Sequence, residues 1–395
     1  MQKVRDTHLE MIHNKEEIII ELKYLFSPGK IGNISIKNRL VRSATWESRA
    51  TEDGYVTDSL IEFYEELAKG GIGLIITGYI AVGPKGAQTT RMTRIYDDSY
   101  IPGQKKLVSS IHEYSDVKVA AQIGHTGNNV ISRKLETVGP SPIRDPLTKK
   151  VCRELKNEEI KEIAEKFAEA GFRAYECGYD MIQLHAGHAY LLSDFISPFT
   201  NRRNDEYGGS TLNRLKIVID IYNQIRDNLG KGFPITIKLI TQDFLGKGKG
   251  LDLEEGKDIA KHLVEIGFDA IEPTSGRTSL RVTNNKSFPS VNFSSSDDGN
   301  YYLPNAKALK PIMKDCPLIF MGGIRNPVSA DKLLEEKIVD FISMSRPFIY
   351  EPDLANRWNS GDLSPSLCTN CNACFGIGER REVYCVIKKK LEGER

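Results

Sequence analysis

The chain has 395 residues, 40% hydrophobic and 27% charged, with 54 Lys and Arg against 53 Asp and Glu for a formal net charge of +1. That is a globular composition, and it makes no electrostatic case for binding nucleic acid or an anionic membrane surface. No apolar run approaches a membrane span and the charged N-terminus lacks a signal-peptide core, so the expectation is a cytoplasmic protein.

Residues 1–24 read as an amphipathic extension, with Ile18, Ile19, Ile20 and Leu22 placed to dock. Short β-prone runs then recur at Arg39–Ala44, Gly73–Tyr79, Val117–Ile123, Asp180–His185, Ile235–Ile240, Asp269–Pro273, Leu318–Gly322 and Asp340–Ser345. Helix-period segments lie between them at Asp58–Gly70, Asn157–Gly171, Leu212–Leu229, Leu253–Gly267 and Pro327–Lys337. In the second of these, Asn157 is the expected cap and Gly171 the expected terminator. Near-continuous apolar strands alternating with helices predict an α/β fold with a parallel sheet buried on both faces.

Eight such units predict closure into a (β/α)₈ TIM barrel spanning 25–360, followed by a Cys-rich tail over 361–395. An open doubly wound sheet would favour a glycine-rich fingerprint after its first strand, and Arg42-Ser43-Ala44-Thr45-Trp46-Glu47 is nothing like one. Long inserts at Gly124–Leu155, Leu191–Thr211 and Thr274–Leu303 all follow strands. All three therefore hang over the same mouth, as lids, substrate walls or plain surface loops.

The strand ends carry Thr45, Tyr79, Gln122, His185 with His188 and Tyr190, Lys238, Gly322 with Gly323, and Ser345 with Arg346. Glycines after the seventh strand let backbone N–H groups approach an anion, and Ser-Arg after the eighth adds a hydroxyl and a fork of donors. Together these suggest a phosphate-bearing ligand, against the plainer reading of a tight turn and a surface ion pair. His185 and His188 lack the acidic residue of a helical zinc motif. They are better placed as donors to a carbonyl or carboxylate oxygen.

The segment HAGHAYLLSDFISPFTNRRNDEYGGSTLNR (185–214) closely resembles the old yellow enzyme family of FMN-dependent ene-reductases. So do LFSPGKIGNISIKNRLV (25–41), GGIGLIITGYIAVGPKG (70–86), MGGIRNP (321–327) and ISMSRPFIYEPDL (342–354). The resemblance implies an FMN enzyme with NAD(P)H as co-substrate, which reduces an activated alkene by two hydride transfers through flavin N5. Thr45 then contacts the reactive edge of the ring, Tyr79 belongs to the cofactor set, and Gln122 recognises the pyrimidine edge. Lys238 stands where the family usually has an arginine near N1 and O2. Gly322, Gly323, Ser345 and Arg346 resemble the FMN phosphate site. His185 and His188 resemble the pair that grips the substrate oxygen, with Tyr190 as proton donor. Asn201–Ser210 resembles scaffold beneath that loop. Trp46, Glu47 and Asn128-Asn129 depart from the pattern and leave the substrate open.

Seven cysteines are present, and four of them form Cys368-x₂-Cys371-x₂-Cys374-x₁₀-Cys385. In a cytosolic setting such spacing points to metal rather than disulfides. It resembles the cluster site of the dienoyl-CoA reductase and trimethylamine dehydrogenase branch, whose chains continue into nucleotide-binding domains. A [4Fe–4S] cluster here would need an external electron partner, with zinc or no metal as alternatives. Three functions stay open: ene-reduction with NAD(P)H, FMN-dependent dehydrogenation with electrons leaving through the cluster, and non-catalytic flavin binding. The sequence also leaves room for a homo-oligomer.

Overall fold

The computed structural model describes residues 21–114, 116–130, 136–145, 149–245, 248–276, 300–376 and 381–393. Ile18, Ile19 and Ile20, and residues 277–299 of the Thr274–Leu303 insert, lie outside the described residues, whereas Leu22 is buried in the core.

An antiparallel hairpin of β1 (Gly29–Ile31) and β2 (Ile34–Ile36) comes first. It is followed by β3 (Leu40–Arg42), α1 (Asp58–Lys69), β4 (Leu74–Ile76), β5 (Ile80–Ala81), α2 (Ile101–His112) and β6 (Lys118–Gly124). The chain continues through β7 (Val138–Gly139), β8 (Arg153–Glu154), α3 (Asn157–Glu176), β9 (Met181–Ala186), α4 (Leu191–Ile196), α5 (Thr211–Leu229) and β10 (Ile235–Ile240). The last part contains α6 (Leu253–Ile266), β11 (Ala270–Thr274), α7 (Leu303–Leu309), β12 (Ile319–Met321), α8 (Pro327–Glu335), β13 (Phe341–Met344), α9 (Arg346–Tyr350), α10 (Leu354–Asn359) and α11 (Val386–Leu391).

The eight main strands pair in parallel in the order β11-β10-β9-β6-β4-β3-β13-β12. A bridge between Ile271 of β11 and Leu318, just before β12, closes the ring. The chain is a (β/α)₈ barrel, and every apolar run read as a strand overlaps one of its staves, with β6, β9 and β11 each running one residue past the run's end.

The inside of the barrel is layered. Val41, Leu74, Ile76, Ala120, Met181, Ala270, Ile319 and Phe341 form an apolar plug, joined by Ile31 and Ile36 of the hairpin. One inward step along the strands the residues turn polar, because side chains alternate with period two. The register places Gln122 opposite Gln183, and Lys238 opposite both His185 and Glu272. Polar groups are thus raised on an apolar floor toward the C-terminal mouth.

Outside the barrel, α1 follows its periodicity: Thr57 caps the Leu60 N–H, and Leu60, Ile61, Phe63, Tyr64, Leu67 and Ala68 are buried. Helix α3 departs from the expectation. Its N-cap is Lys156, with Asn157 already in the first turn, and it runs past Gly171 to Glu176. Gly171 sits buried within the helix, where an added Cβ would touch Ile225 of α5 and Ile182 of β9. A small residue there serves helix packing rather than termination. The turn that ends the helix uses Gly178, with φ +88°. Helix α2, with Pro102 in its first turn, was not among the helix-period segments.

The Leu191–Thr211 insert is anchored through Arg203, whose side chain is 5% exposed. Its guanidinium donates to the Leu155 carbonyl at 2.7 Å, the Pro140 carbonyl at 3.1 Å and Asn157 Oδ1 at 2.6 Å, and pairs with Asp205 and Glu154. Asn201 Nδ2 donates to the Phe195 and Tyr207 carbonyls. One arginine therefore ties this insert to the end of the Gly124–Leu155 insert. Arg203→Ala should leave buried carbonyls unpaired and cost about 3 kcal/mol or more in unfolding free energy, read as a lower urea midpoint with an unchanged slope.

Candidate active site

The turn after β9 gathers the site's side chains. Its Gly187 backbone passes so close to Thr274 that a Cβ would sit 2.6 Å from Cγ2. The next two residues, His188 and Ala189, are both left-handed, with φ of 61° and 64°. Consecutive non-glycine residues in that region store about 1–3 kcal/mol each and are held by their surroundings. The result is a tight cluster, with ring centroids 4.6 Å apart for His185 and Tyr190, 5.3 Å for His185 and His188, and 5.1 Å for Tyr79 and Tyr190. His188 Nε2 lies 2.8 Å from Thr274 Oγ1. His185 is buried, and its Nδ1 is a buried polar atom with no hydrogen-bond partner.

Electrostatics keep both imidazoles neutral. Burial, then His188 and the Lys238 charge, hold His185 well below the usual histidine range. Burial, with Lys238 second, brings His188 down to about 3. Burial also pushes the Tyr190 phenol upward, so it stays protonated.

Tyr190 has a partner that the sequence reading missed. Its hydroxyl donates to Gln88 Oε1 at 2.9 Å, Gln88 Nε2 donates to Asn129 Oδ1 at 3.2 Å, and Asn129 Nδ2 donates to the His188 carbonyl at 3.2 Å. A main-chain carbonyl can only accept, so the direction of every bond in this chain is set. Trp46, one of the departures from the family pattern, packs with Tyr190 against Tyr79, Ala81, Ala87 and Met92.

Beneath this cluster lies the polar layer. Lys238 and Glu272, with side chains 1% and 0% exposed, form a 3.3 Å ion pair. Lys238 Nζ also donates to Ser43 Oγ at 2.8 Å. Ser43 and Ser343 each donate to Glu272 Oε1 at 2.8 Å, and Gln183 Nε2 donates to Oε2 at 3.0 Å. Gln122 Nε2 in turn donates to Gln183 Oε1 at 2.6 Å. Gln122 and Lys238, far apart in sequence, thus belong to one network. Gln183, Glu272 and Ser43 were not among the site residues expected from the sequence. The signal that could have found them is polar residues two positions from known inward residues on apolar strands.

The remaining sites lie on the β12–β13–β3 side. Gly322 and Gly323 have φ of 134° and 93°, a region that suits glycine. Thr45 Oγ1 and Ser345 Oγ are in hydrogen-bond contact. Arg346 turns toward the tail, with Nη1 donating to the Asn370 carbonyl at 3.1 Å and Asn372 Oδ1 at 2.7 Å. It lines one pocket with Cys368, Cys371, Cys374 and Cys385. All four are free thiols. Burial first, then the neighbouring Cys368, pushes the Cys374 thiol up to about 11. Among the described residues no group of three or more His, Cys, Asp or Glu side chains is arranged to hold a metal ion.

These residues suit a flavin: a buried cation, an amide in a polarised chain, glycine backbone beside a serine and an arginine, and neutral imidazoles above. Residues 24–363 match the NADH:flavin oxidoreductase / NADH oxidase family, and the chain belongs to it. It is 35% identical over 358 residues to an NADH oxidase of Thermoanaerobacter brockii, covering 89% of this chain and 53% of that one. It is 32% identical over 363 residues to a cinnamate reductase of Clostridium sporogenes, covering 85% and 53%. Among solved structures, a 2-naphthoyl-CoA reductase in complex with 2-naphthoyl-CoA superposes with a TM-score of 0.86 at 26% identity, covering 94% and 58%. The chain spans about half the length of these curated relatives. Among the described residues no helix is long and apolar enough to cross a membrane.

Folded-state values depressed below the ordinary 6.5 mean that His185 and His188 stabilise the fold fully above that pH. That contribution is lost as pH falls, because the unfolded chain then binds protons the folded one refuses. Stability should therefore decline from about pH 6.5 downward. His188→Asn, which removes one titrating ring, should flatten that decline in urea titrations run across the same pH range.

Proposed function

We propose that the protein is an FMN-dependent oxidoreductase that uses NAD(P)H to reduce the C=C bond of an α,β-unsaturated carbonyl or carboxylate compound. The observation that carries this reading is the convergence of two neutral imidazoles and a protonated phenol above the polar layer. The chemistry that FMN supplies when bound is hydride transfer between NAD(P)H and the alkene. Lys238, Gln122, Thr45, Tyr79, Gly322, Gly323, Ser345 and Arg346 are the residues that would hold it.

The chain's own residues do the rest. His185 and His188 each offer an N–H to the substrate's carbonyl or carboxylate oxygen and stabilise charge that develops there. Withdrawal of electrons toward that oxygen makes the β-carbon electrophilic. Tyr190 holds the proton for the α-carbon, and Gln88 orients the phenol. Trp46, Tyr79 and Met92 exclude water from that side. Similarity to a cinnamate reductase supports an aryl-conjugated acid among the substrates.

A second reading concerns the tail, and the observation favouring it is that all four cysteines line one pocket. We infer from their spacing that a metal group held there would be a [4Fe–4S] cluster rather than zinc.

Anaerobically purified protein, reduced with NADH or NADPH, should be reoxidised by cyclohexenone or cinnamate. Tyr190→Phe should slow that reoxidation by about 10²-fold or more and leave reduction by NAD(P)H near its original rate. If no activated alkene reoxidises the flavin, the ene-reductase reading fails. Iron and acid-labile sulfide analysis of the same sample decides the tail: zinc, or neither metal, removes the cluster.

A further inference from the structure

Glu272 is the fixed point of the polar layer. A carboxylate only accepts, so Ser43, Ser343 and Gln183 must all donate to it. Ser43 spends its single proton on Glu272, and therefore accepts from Lys238. Gln183 gives its amide hydrogen to Glu272, so its oxygen faces Gln122 and receives that residue's N–H. Gln122 is left with its Oε1 as the acceptor end of the chain. The same carboxylate lies 3.3 Å from Lys238 with both groups sealed from water, so the pair presents no net charge to whatever lies above it.

We propose that Glu272 is a positioning residue for the flavin, setting both what Gln122 presents to the cofactor and how much positive charge Lys238 offers it. This rests on the flavin reading above. The pyrimidine edge of a flavin carries an imide N–H flanked by carbonyls, so an amide held with its oxygen outward complements that N–H. Reduction places negative charge on the N1–C2 side of the ring. A lone buried lysine would favour the reduced form strongly, and a lysine neutralised by Glu272 favours it less. The carboxylate thus keeps the flavin a stronger reductant than Lys238 alone would allow.

The test uses FMN-loaded full-length protein and a spectroelectrochemical titration. Glu272→Gln should favour reduction by about tenfold, which is about 30 mV upward for a two-electron couple, and sulfite should bind the oxidised flavin more tightly. Lys238→Met should move the potential down. Should Glu272→Gln fail to fold, Lys238→Met against Lys238→Met/Glu272→Gln carries the test, with an upward shift expected from the first to the second. Wild-type protein should also prefer FMN to 3-methyl-FMN, and Glu272→Gln should prefer it less. An unchanged or lowered potential in Glu272→Gln overturns the charge argument, and equal discrimination between the two flavins overturns the amide argument. Protein that holds no FMN at all defeats the flavin reading itself, which is a different result.

Discussion

The register of four neighbouring strands is the constraint on which the site depends. Parallel pairing of β6 with β9, β9 with β10 and β10 with β11 puts Gln122, Gln183, His185, Lys238 and Glu272 on one wall of the barrel. A slip of one residue in any pair would turn these groups into the helical shell and their apolar neighbours inward. An ion pair so deep costs on the order of several kcal/mol in lost hydration unless its remaining hydrogen-bonding positions are filled. Ser43, Ser343 and Gln183 fill them from three other strands or their ends. The pair is therefore a consequence of barrel closure as much as a contributor to it.

Above that wall, strain and rigidity combine. His188 and Ala189 occupy left-handed backbone that only dense surroundings can hold. Those surroundings include the Gln88–Asn129 chain, which ends on the His188 carbonyl and begins at the Tyr190 hydroxyl. The loops after β5, β6 and β9 are thus tied to one another at the place where they present their chemistry. Low entropy in the site is bought with polar contacts between loops that share no secondary structure.

Much of this was legible in the chain alone. Runs such as Ile235–Ile240 are apolar throughout, and a buried parallel strand has that pattern whatever its partners. His185, His188 and Tyr190 could be read because they break an apolar run where it stops. Glu272 and Gln183 were passed over, because each looks like a lone polar residue in a strand until strand periodicity and the register supply its neighbours. Gln88 sits in a loop with no periodicity, and its value comes from a residue 102 positions away. Gly171 misled for a related reason. Glycine marks both helix ends and close packing, and the choice depends on the distance to Ile225, which is not a local property.

The tail adds the last constraint. Ser366 accepts from Arg325 through its carbonyl and donates to Glu351, and Val383 N–H bonds to the Glu47 carbonyl. Arg49 pairs with Glu382 at 2.9 Å. The cysteine-bearing segment is therefore seated on the loops after β3, β12 and β13, the side of the barrel that carries Thr45, Gly322 and Ser345. Arg346 stands at the junction, with its Nη1 committed to two acceptors between Cys368 and Cys374. A guanidinium can serve several acceptors at once, but its plane can point only one way. Any group held by the cysteines and any anion held at the ends of β12 and β13 must share the orientation of that one side chain. The ends of β12 and β13 and the cysteine-bearing segment are for that reason one mechanical unit.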